Sequence, residues 1–281
     1  MIKLEQEKYE AILPLLPKEG MNTLFAQSVL RGMVKGEVFT DHQEQPSYFY
    51  IRHPYFMTLL VGDPDRADAD LRAYLLNERN TRKDVEWMQV YPPVWNAALG
   101  ELLVSKMMSK GVDEQYRKPL PPEEAAKVLV YCRSDFHFCR EHFEEFKSRR
   151  KSEGERILMT DEATYYRLDS GVVPQFFWES YEDFITHGMG FTAYTSEGSP
   201  ASTAFAAYVI DNKFEIGIET REEFRGQGYA ESVCAHLIEY CLERDYEPIW
   251  GCYTGNAGSR SLALKLGFEE VERRPYYRLP V

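Results

Sequence analysis

The sequence predicts an α/β protein built on a mixed, twisted sheet flanked by helices, and three observations carry that prediction. Glu215-Ile-Gly-Ile-Glu-Thr220 alternates and holds two β-branched residues, which reads as a strand. Arg225-Gly-Gln-Gly-Tyr-Ala230 is a Gly-rich turn that runs into a helix. In that helix Ala230, Val233, Cys234, Leu237, Ile238, Cys241 and Leu242 recur at the spacing of one buried face. On both sides of this strand-turn-helix unit, β-rich and helix-periodic segments alternate, which is the order of a layered α/β fold.

A chain of 281 residues has room for two domains, each with its own core. The polar run Lys147-Ser-Arg-Arg-Lys-Ser-Glu-Gly154 reads as a linker, dividing the chain into domains 1–150 and 151–281. Hydrophobic residues make up 44% and charged residues 28%, the balance of a folded globular protein. No apolar run approaches the roughly 20 residues of a membrane span, so no membrane partner is expected. Met1–Gly20 holds four Glu and three Lys without an apolar core, so no secretory signal is expected either. Five cysteines without a Cys-x-x-Cys fit a reducing compartment, and the expected location is the cytoplasm. Cys132, His137, Cys139 and His142 crowd together, but their spacing matches no zinc pattern and no metal is expected. The net charge of −12 argues against a nucleic-acid partner and is compatible with a cationic small molecule.

Taken in order, helical patterning covers Glu5–Leu16 and Thr23–Val34, with a short strand at Glu37–Thr40. The aromatic, β-rich run Tyr48–Val61 folds back at His53-Pro54 as two paired strands. Pro64-Asp65 starts a helix toward Asn80. A strand at Trp87–Tyr91, a helix from Val94 to Lys110, a strand at Lys127–Cys132 and a helix at Arg140–Arg150 complete this half. It holds no catalytic constellation and no phosphate loop.

The second half is more regular. Arg156–Met159 reads as a strand, and Thr160 as the cap of a helix opened by Asp161 and Glu162. A helix over Pro174–Thr186 follows, then strands at Gly190–Thr195 and Ala201–Ile210. After the central strand and helix come a strand at Ile249–Tyr253, a loop rich in Gly and Asn, and a helix at Ser259–Leu266. Gly267-Phe268 ends that helix, and Glu270–Arg273 and Tyr276–Leu279 finish as strands.

A strand, a Gly turn and a helix together present free backbone N–H groups and a positive dipole end to an anion. No Lys-Ser/Thr follows the glycines, and Glu231 stands where a dinucleotide fingerprint needs a small residue. What remains, Arg-x-x-Gly-x-Ala after a strand, resembles the pyrophosphate loop of the GCN5-related N-acetyltransferases (GNAT), which grip coenzyme A. Asn256-Ala-Gly-Ser259 and Leu262–Phe268 resemble the second signature of that family, in the expected order. The stretch from Gly188 to Phe268 resembles the subgroup that includes zwittermicin A resistance proteins, whose N-terminal half looks like a worn repeat of the same fold. The resemblance implies a GNAT fold over Glu155–Val281 and a degenerate GNAT-like repeat before it, one that lacks the coenzyme loop.

By the same resemblance, coenzyme pyrophosphate rests on Arg225, Gly226, Gln227, Gly228, Tyr229 and Ala230, with Arg221 nearby. The acetyl oxygen meets a backbone N–H near Glu219 and Thr220, the pantetheine arm meets Asn256, and Ile218 and Ser259 count among the coenzyme-binding residues. Asn256 has the alternative reading of a turn residue, and Arg225 that of a contact at the start of the helix. Glu215 and Glu219 share one face of their strand, and either takes the amine proton or forms a salt bridge to a neighbouring Arg. Many family members carry a Tyr in the last helix to protonate the leaving thiolate; Ala263 stands there in this chain. Tyr276, ahead of Tyr277 and Tyr253, is the candidate replacement, and Pro275 before it reads as the mark of an edge strand. The expected activity is direct acetyl transfer from acetyl-CoA to the amine of a small cationic molecule, by a monomer or homodimer. Two other readings stay open, a non-catalytic acyl-CoA sensor and a protein acetylase.

Overall fold

The structure, a computed structural model, describes residues 1–116, 119–150, 156–168 and 171–281. In chain order its elements are β1 (Ile2–Lys3), α1 (Leu24–Leu30), β2 (Glu37–Thr40), β3 (Tyr48–Arg52), β4 (Met57–Gly62), α2 (Ala69–Leu75), β5 (Trp87–Tyr91), α3 (Trp95–Leu103) and β6 (Met107–Ser109). There follow α4 (Pro122–Ala125), β7 (Val128–Phe138), α5 (Arg140–Arg149), β8 (Arg156–Met159), α6 (Glu162–Arg167), α7 (Tyr181–His187), β9 (Gly190–Tyr194) and β10 (Pro200–Ile210). The chain ends with β11 (Lys213–Thr220), α8 (Tyr229–Leu242), β12 (Glu247–Tyr253), α9 (Ala257–Lys265) and β13 (Phe268–Arg278). It divides into two compact units, the first made of Met1–Asp135, Cys252–Ala257 and Glu272–Val281, the second of Phe136–Gly251 and Gly258–Val271. The linker expected at Lys147–Gly154 lies outside the described residues from 151 onward, and its Lys147–Arg149 form the last turn of α5.

In the first unit β1 to β4 form an antiparallel meander, and β5 joins β4 in parallel. β13 then lies antiparallel to β5, with Tyr277 opposite Met88 and Arg278 opposite Trp87. Tyr48, Tyr50, Leu60, Met88, Val90, Val128, Tyr277 and Leu279 turn to one face and pack with Trp95, Leu99 and Leu103 of α3 as the apolar core. Burial of this kind stabilises by roughly 25 cal/mol per Å² of apolar surface removed from water. The strand expected from Pro275 as an edge is instead interior, placed between β5 and β7 in the sheet order. Its two expected pieces are one continuous strand.

Local rules misplace several helix bounds here, each for a nameable reason. Gln6–Leu15 is a 3-10 helix, and Pro14 inside it removes a donor and crowds the preceding turn. The helix expected to reach Lys110 stops at Leu103, where Val104 turns to φ 32°. Met107–Ser109 then leaves the helical pattern to pair in parallel with Val128–Val130.

In the second unit the order is β8-β9-β10-β11-β12. β10 and β11 pair antiparallel from Ser202–Thr220 to Ile210–Lys213, and β12 joins β11 in parallel. Val233, Cys234, Leu237, Ile238 and Cys241 of α8 are buried against β9, β10 and β11, the face that the periodicity predicts. Asp161, not Thr160, caps α6, its carboxylate accepting the Thr164 N–H at 2.7 Å. The helix expected over Pro174–Thr186 is two pieces, because Ser180 starts a new one by accepting the Asp183 N–H.

Candidate functional site

The best-formed candidate site begins on β11. Its register with β12 covers Lys213–Glu247, Phe214–Pro248 and Glu215–Ile249, and β11 continues from there to Thr220. Two parallel strands whose pairing ends part-way leave backbone of the longer one available to something else. At its end Thr220 is bonded to Ser202 through the two hydroxyls at 2.8 Å.

Past Thr220 the chain makes the short 3-10 turn Glu222–Phe224 and then the Gly-rich loop. Gly226 has φ 76° and Gly228 φ 89°, values that L side chains rarely adopt. A Cβ built at either would meet nothing within 4 Å, so space opens above the backbone at both. Arg225, Gly226, Gln227 and Gly228 are exposed, and Tyr229 and Ala230 are half-buried in the first turn of α8. Gly228 caps α8 without a side chain, which leaves the first N–H groups of a 14-residue helix facing outward. The residues present fit a diphosphate: a helix start, two left-handed glycines and no side chain in the way.

The charged groups around the loop bind one another. Arg225 donates from Nε to the Thr220 carbonyl at 3.1 Å and from Nη2 to Glu219 Oε1 at 3.2 Å. The other Glu219 oxygen accepts the Val172 N–H at 3.0 Å. For Glu219, the salt bridge to a neighbouring Arg is the contact present, and Arg225 reaches back to the end of β11. Gly171 supports this placement of Glu219: its φ is +80°, and a Cβ there would lie 2.1 Å from Glu219 Oε2. No sequence signal points to this loop, since a lone Gly between helices is ordinary. Arg221 is exposed and pairs with Glu223 at 2.7 Å. Glu215, on the same strand before the half-buried Ile218 and Glu219, is buried.

Ser259 sits early in α9, its hydroxyl accepting the Trp250 indole N–H at 3.2 Å. Asn256 is exposed just before α9, its N–H donating to the Tyr253 carbonyl at 2.8 Å. Asn256 and Tyr276 belong to the first unit, whereas the other expected site residues belong to the second. Ala263 is fully buried, so the position that commonly carries the acid points into the protein. Of the three candidate tyrosines, Tyr277 faces the apolar core and donates to Asn96 Oδ1 at 2.6 Å; burial pushes its hydroxyl up to about 12. Burial also raises Tyr253, and Tyr276 stacks on Trp87 with centroids 5.0 Å apart.

Cys139, His142 and Glu269 bring one ligand atom each to within 4.8 Å of one another, and His142 Nδ1 is 3.1 Å from Glu269 Oε1. Of the four residues crowded in sequence, Cys132 and His137 are not in this group. Cys234 and Cys241 are raised well above the ordinary thiol range by burial, which makes them inert packing groups. No helix among the described residues is long and apolar enough to cross a membrane.

The model of the GNAT acetyltransferase family matches residues 14–277, nearly the whole chain. The chain belongs to that family. As a GNAT acetyltransferase it is an acyltransferase, and members of the family use acetyl-CoA and an acceptor. It is 25% identical over 279 residues to an uncharacterised N-acetyltransferase, YdfB, of Bacillus subtilis strain 168, covering 98% of this chain and 97% of that one. Its fold is similar to that of a GCN5-related N-acetyltransferase-like protein from Streptococcus suis 89/1591, with a TM-score of 0.69 at 19% identity over 98% of this chain and 100% of the other. A tandem GNAT protein from the clavulanic acid biosynthesis pathway shares the fold at a TM-score of 0.59 and 10% identity, over 99% and 97% of the two chains. The expected fold class, α/β and GNAT-like with a related N-terminal half, is the one found.

Proposed function

We propose that this acetyltransferase moves an acetyl group from acetyl-CoA directly to the amine of a small, cationic molecule in the cytoplasm. The observation that carries the reading is the open, left-handed pair Gly226 and Gly228 at the start of α8, immediately after β11. That loop takes the coenzyme's diphosphate on backbone N–H groups, as the family resemblance implies. Acetyl transfer forms a C–N bond and breaks the C–S bond; the amine gives up one proton and the departing thiolate takes one. By the same resemblance, a backbone N–H near Glu219 and Thr220 would hold the carbonyl oxygen as it gains charge. Glu215 and Glu219 are the candidate bases, and Tyr276 is the candidate acid.

A second reading, a coenzyme-binding protein without chemistry, is favoured by two details. Glu219 has both oxygens occupied by protein donors, and Ala263 removes the common acid. Release of free thiol from acetyl-CoA in the presence of an amine panel separates the readings. Gly228→Val tests the loop itself: a branched side chain at φ 89° is strained and fills the space above the backbone. Acetyl-CoA affinity by calorimetry should fall by about tenfold or more, with the thermal transition of the protein retained. Unchanged affinity would remove the loop from the coenzyme site.

A further inference from the structure

Within the second unit, the start of α5 and the start of β13 meet at a tight backbone joint. The Cys139 N–H donates to the Gly267 carbonyl at 2.9 Å, and the Cys139 carbonyl accepts the Phe143 N–H at 3.2 Å. Gly267 has φ 89°, and a Cβ there would lie 2.6 Å from the Phe143 nitrogen and 3.0 Å from the Cys139 oxygen. Phe143 and Phe268 are buried at the joint, and the Phe138 ring packs on both. Backbone on either side of the joint is thus held in place by contacts that owe nothing to the exposed side chains around it.

Those side chains are a thiol, an imidazole and a carboxylate. Cys139 stands just before α5 and His142 three residues on, so both lie on one side of the first helical turn. Glu269 joins them from β13, just past Gly267. One ligand atom from each lies within 4.8 Å of the other two. His142 Nδ1 and Glu269 Oε1 are 3.1 Å apart. Tetrahedral zinc places a nitrogen and an oxygen ligand about 3.3 Å apart, and a sulfur about 3.6 Å from either. Torsion at the half-exposed Cys139 side chain closes what separation remains. The Cys139 side chain caps no helix N–H; its thiol donates to Glu141 Oε2 at 3.4 Å. Glu270, the next acid along, is held by Arg260 at 2.7 Å and does not compete. His142 also lines an open cavity of about 460 Å³ with Glu145, Phe146 and Lys265, which leaves solvent room beside the ring for a water ligand.

We infer that Cys139, His142 and Glu269 form a zinc-class site that clamps the start of α5 to the start of β13. Sulfur, nitrogen and oxygen donors together select Zn²⁺ over Mg²⁺ and Ca²⁺, which take oxygen ligands. On binding, the Cys139 thiol releases its proton to solvent and the thiolate ligates the ion. Spacing argues against zinc because it counts only neighbours in sequence, and Glu269 is out of its reach. The alternative is a plain surface ion pair between His142 and Glu269, which contributes little to stability.

The test uses the full chain, reduced and freed of metal, with Co²⁺ as the spectroscopic probe and Zn²⁺ as the competitor. Co²⁺ should give a thiolate-to-metal charge-transfer band at one equivalent, with a Kd of about 10 μM or tighter. Zn²⁺ should displace it and millimolar Mg²⁺ should not. Cys139→Ser should abolish the band, and His142→Gln or Glu269→Gln should weaken binding by about tenfold or more. All three positions are at least half-exposed, so the variants should keep the circular dichroism of the parent. Zn²⁺ should raise the thermal midpoint of the parent and leave that of Glu269→Gln unmoved, because only a ligand from β13 joins the two segments. Absence of the band, or a band that survives Cys139→Ser, would overturn the proposal. An equal zinc-dependent rise in Glu269→Gln would overturn it too, since the metal would then hold α5 alone.

Discussion

At the scale of single residues, the three tyrosines proposed as proton donors separate by their surroundings. Tyr277 donates to Asn96 inside an apolar core, and Tyr276 stacks on Trp87 on the opposite face of the same strand. Replacing Tyr276 by Phe keeps the stacked ring and removes only the hydroxyl. If Tyr276 is the acid, kcat should fall by at least about tenfold, since general acid help contributes about 10²–10⁴-fold. Acetyl-CoA affinity should stay within about twofold. Tyr277→Phe should show the reverse, with kcat unchanged and a loss of about 1–2 kcal/mol in denaturant unfolding as Asn96 loses its donor. Steady-state kinetics and unfolding curves on the two variants decide the assignment; equal kcat in Tyr276→Phe and the parent removes Tyr276 from the reaction. The sequence could place both on a strand facing opposite sides, because alternation is local. Which side meets the core depends on α3, far away in the chain, and no local pattern carries that. The Glu219 contact with the Val172 N–H escaped for the same reason, whereas its salt bridge to Arg225, six residues on, was one of the two readings open in the sequence.

At the scale of elements, legibility followed how much of an element's reason lies within it. β11, the Gly loop and α8 were readable because alternation, positive-φ glycines and a helical apolar face are all local. β13 was misread as an edge because Pro275 lacks a donor, a rule that yields when a long strand has partners elsewhere along its length. The start of α6 was misread by one residue, with Asp161 taking the role expected of Thr160. That cap makes a pH prediction. The Thr164 backbone N–H, its largest cause, holds the Asp161 carboxyl below its ordinary 3.8. A folded-state value lowered in this way gives stability that is present above the unfolded value and is lost as pH falls through the folded one. Asp161→Ala should therefore cost about 1 kcal/mol at pH 7. The difference from the parent should close as pH drops below about 3.8, the ordinary carboxylate value. Urea unfolding of both proteins at several pH values measures it; a gap that widens on acidification would show that the cap is not the cause.

At the scale of the whole molecule, chain order and compactness differ. The polar Lys147–Gly154 run supports a proposed division at 150/151, while the first compact unit also takes in Cys252–Ala257 and Glu272–Val281. Those returning segments are bound within that unit by specific contacts. Arg82 donates to the Pro280 carbonyl at 2.8 Å, the Leu279 N–H to the Glu86 carbonyl at 2.9 Å, and Tyr277 to Asn96. Tyr277 and Leu279 are also part of its apolar core. A fragment of residues 1–150 would lack all of these, exposing β5 along the edge that β13 covers and opening the core at two large side chains. Removing one such side chain typically costs about 2–5 kcal/mol, and a domain's whole stability is about 5–15 kcal/mol. The 1–150 fragment should thus show no cooperative thermal transition by circular dichroism at 25–70 °C, a range of about the usual mesophile span. Supplying the missing strand in trans, as a peptide of residues 268–281, should restore one at high peptide concentration, because mass action then favours the paired state. A sharp transition in the fragment alone would instead support the division at 150/151 as a boundary between independently folding domains.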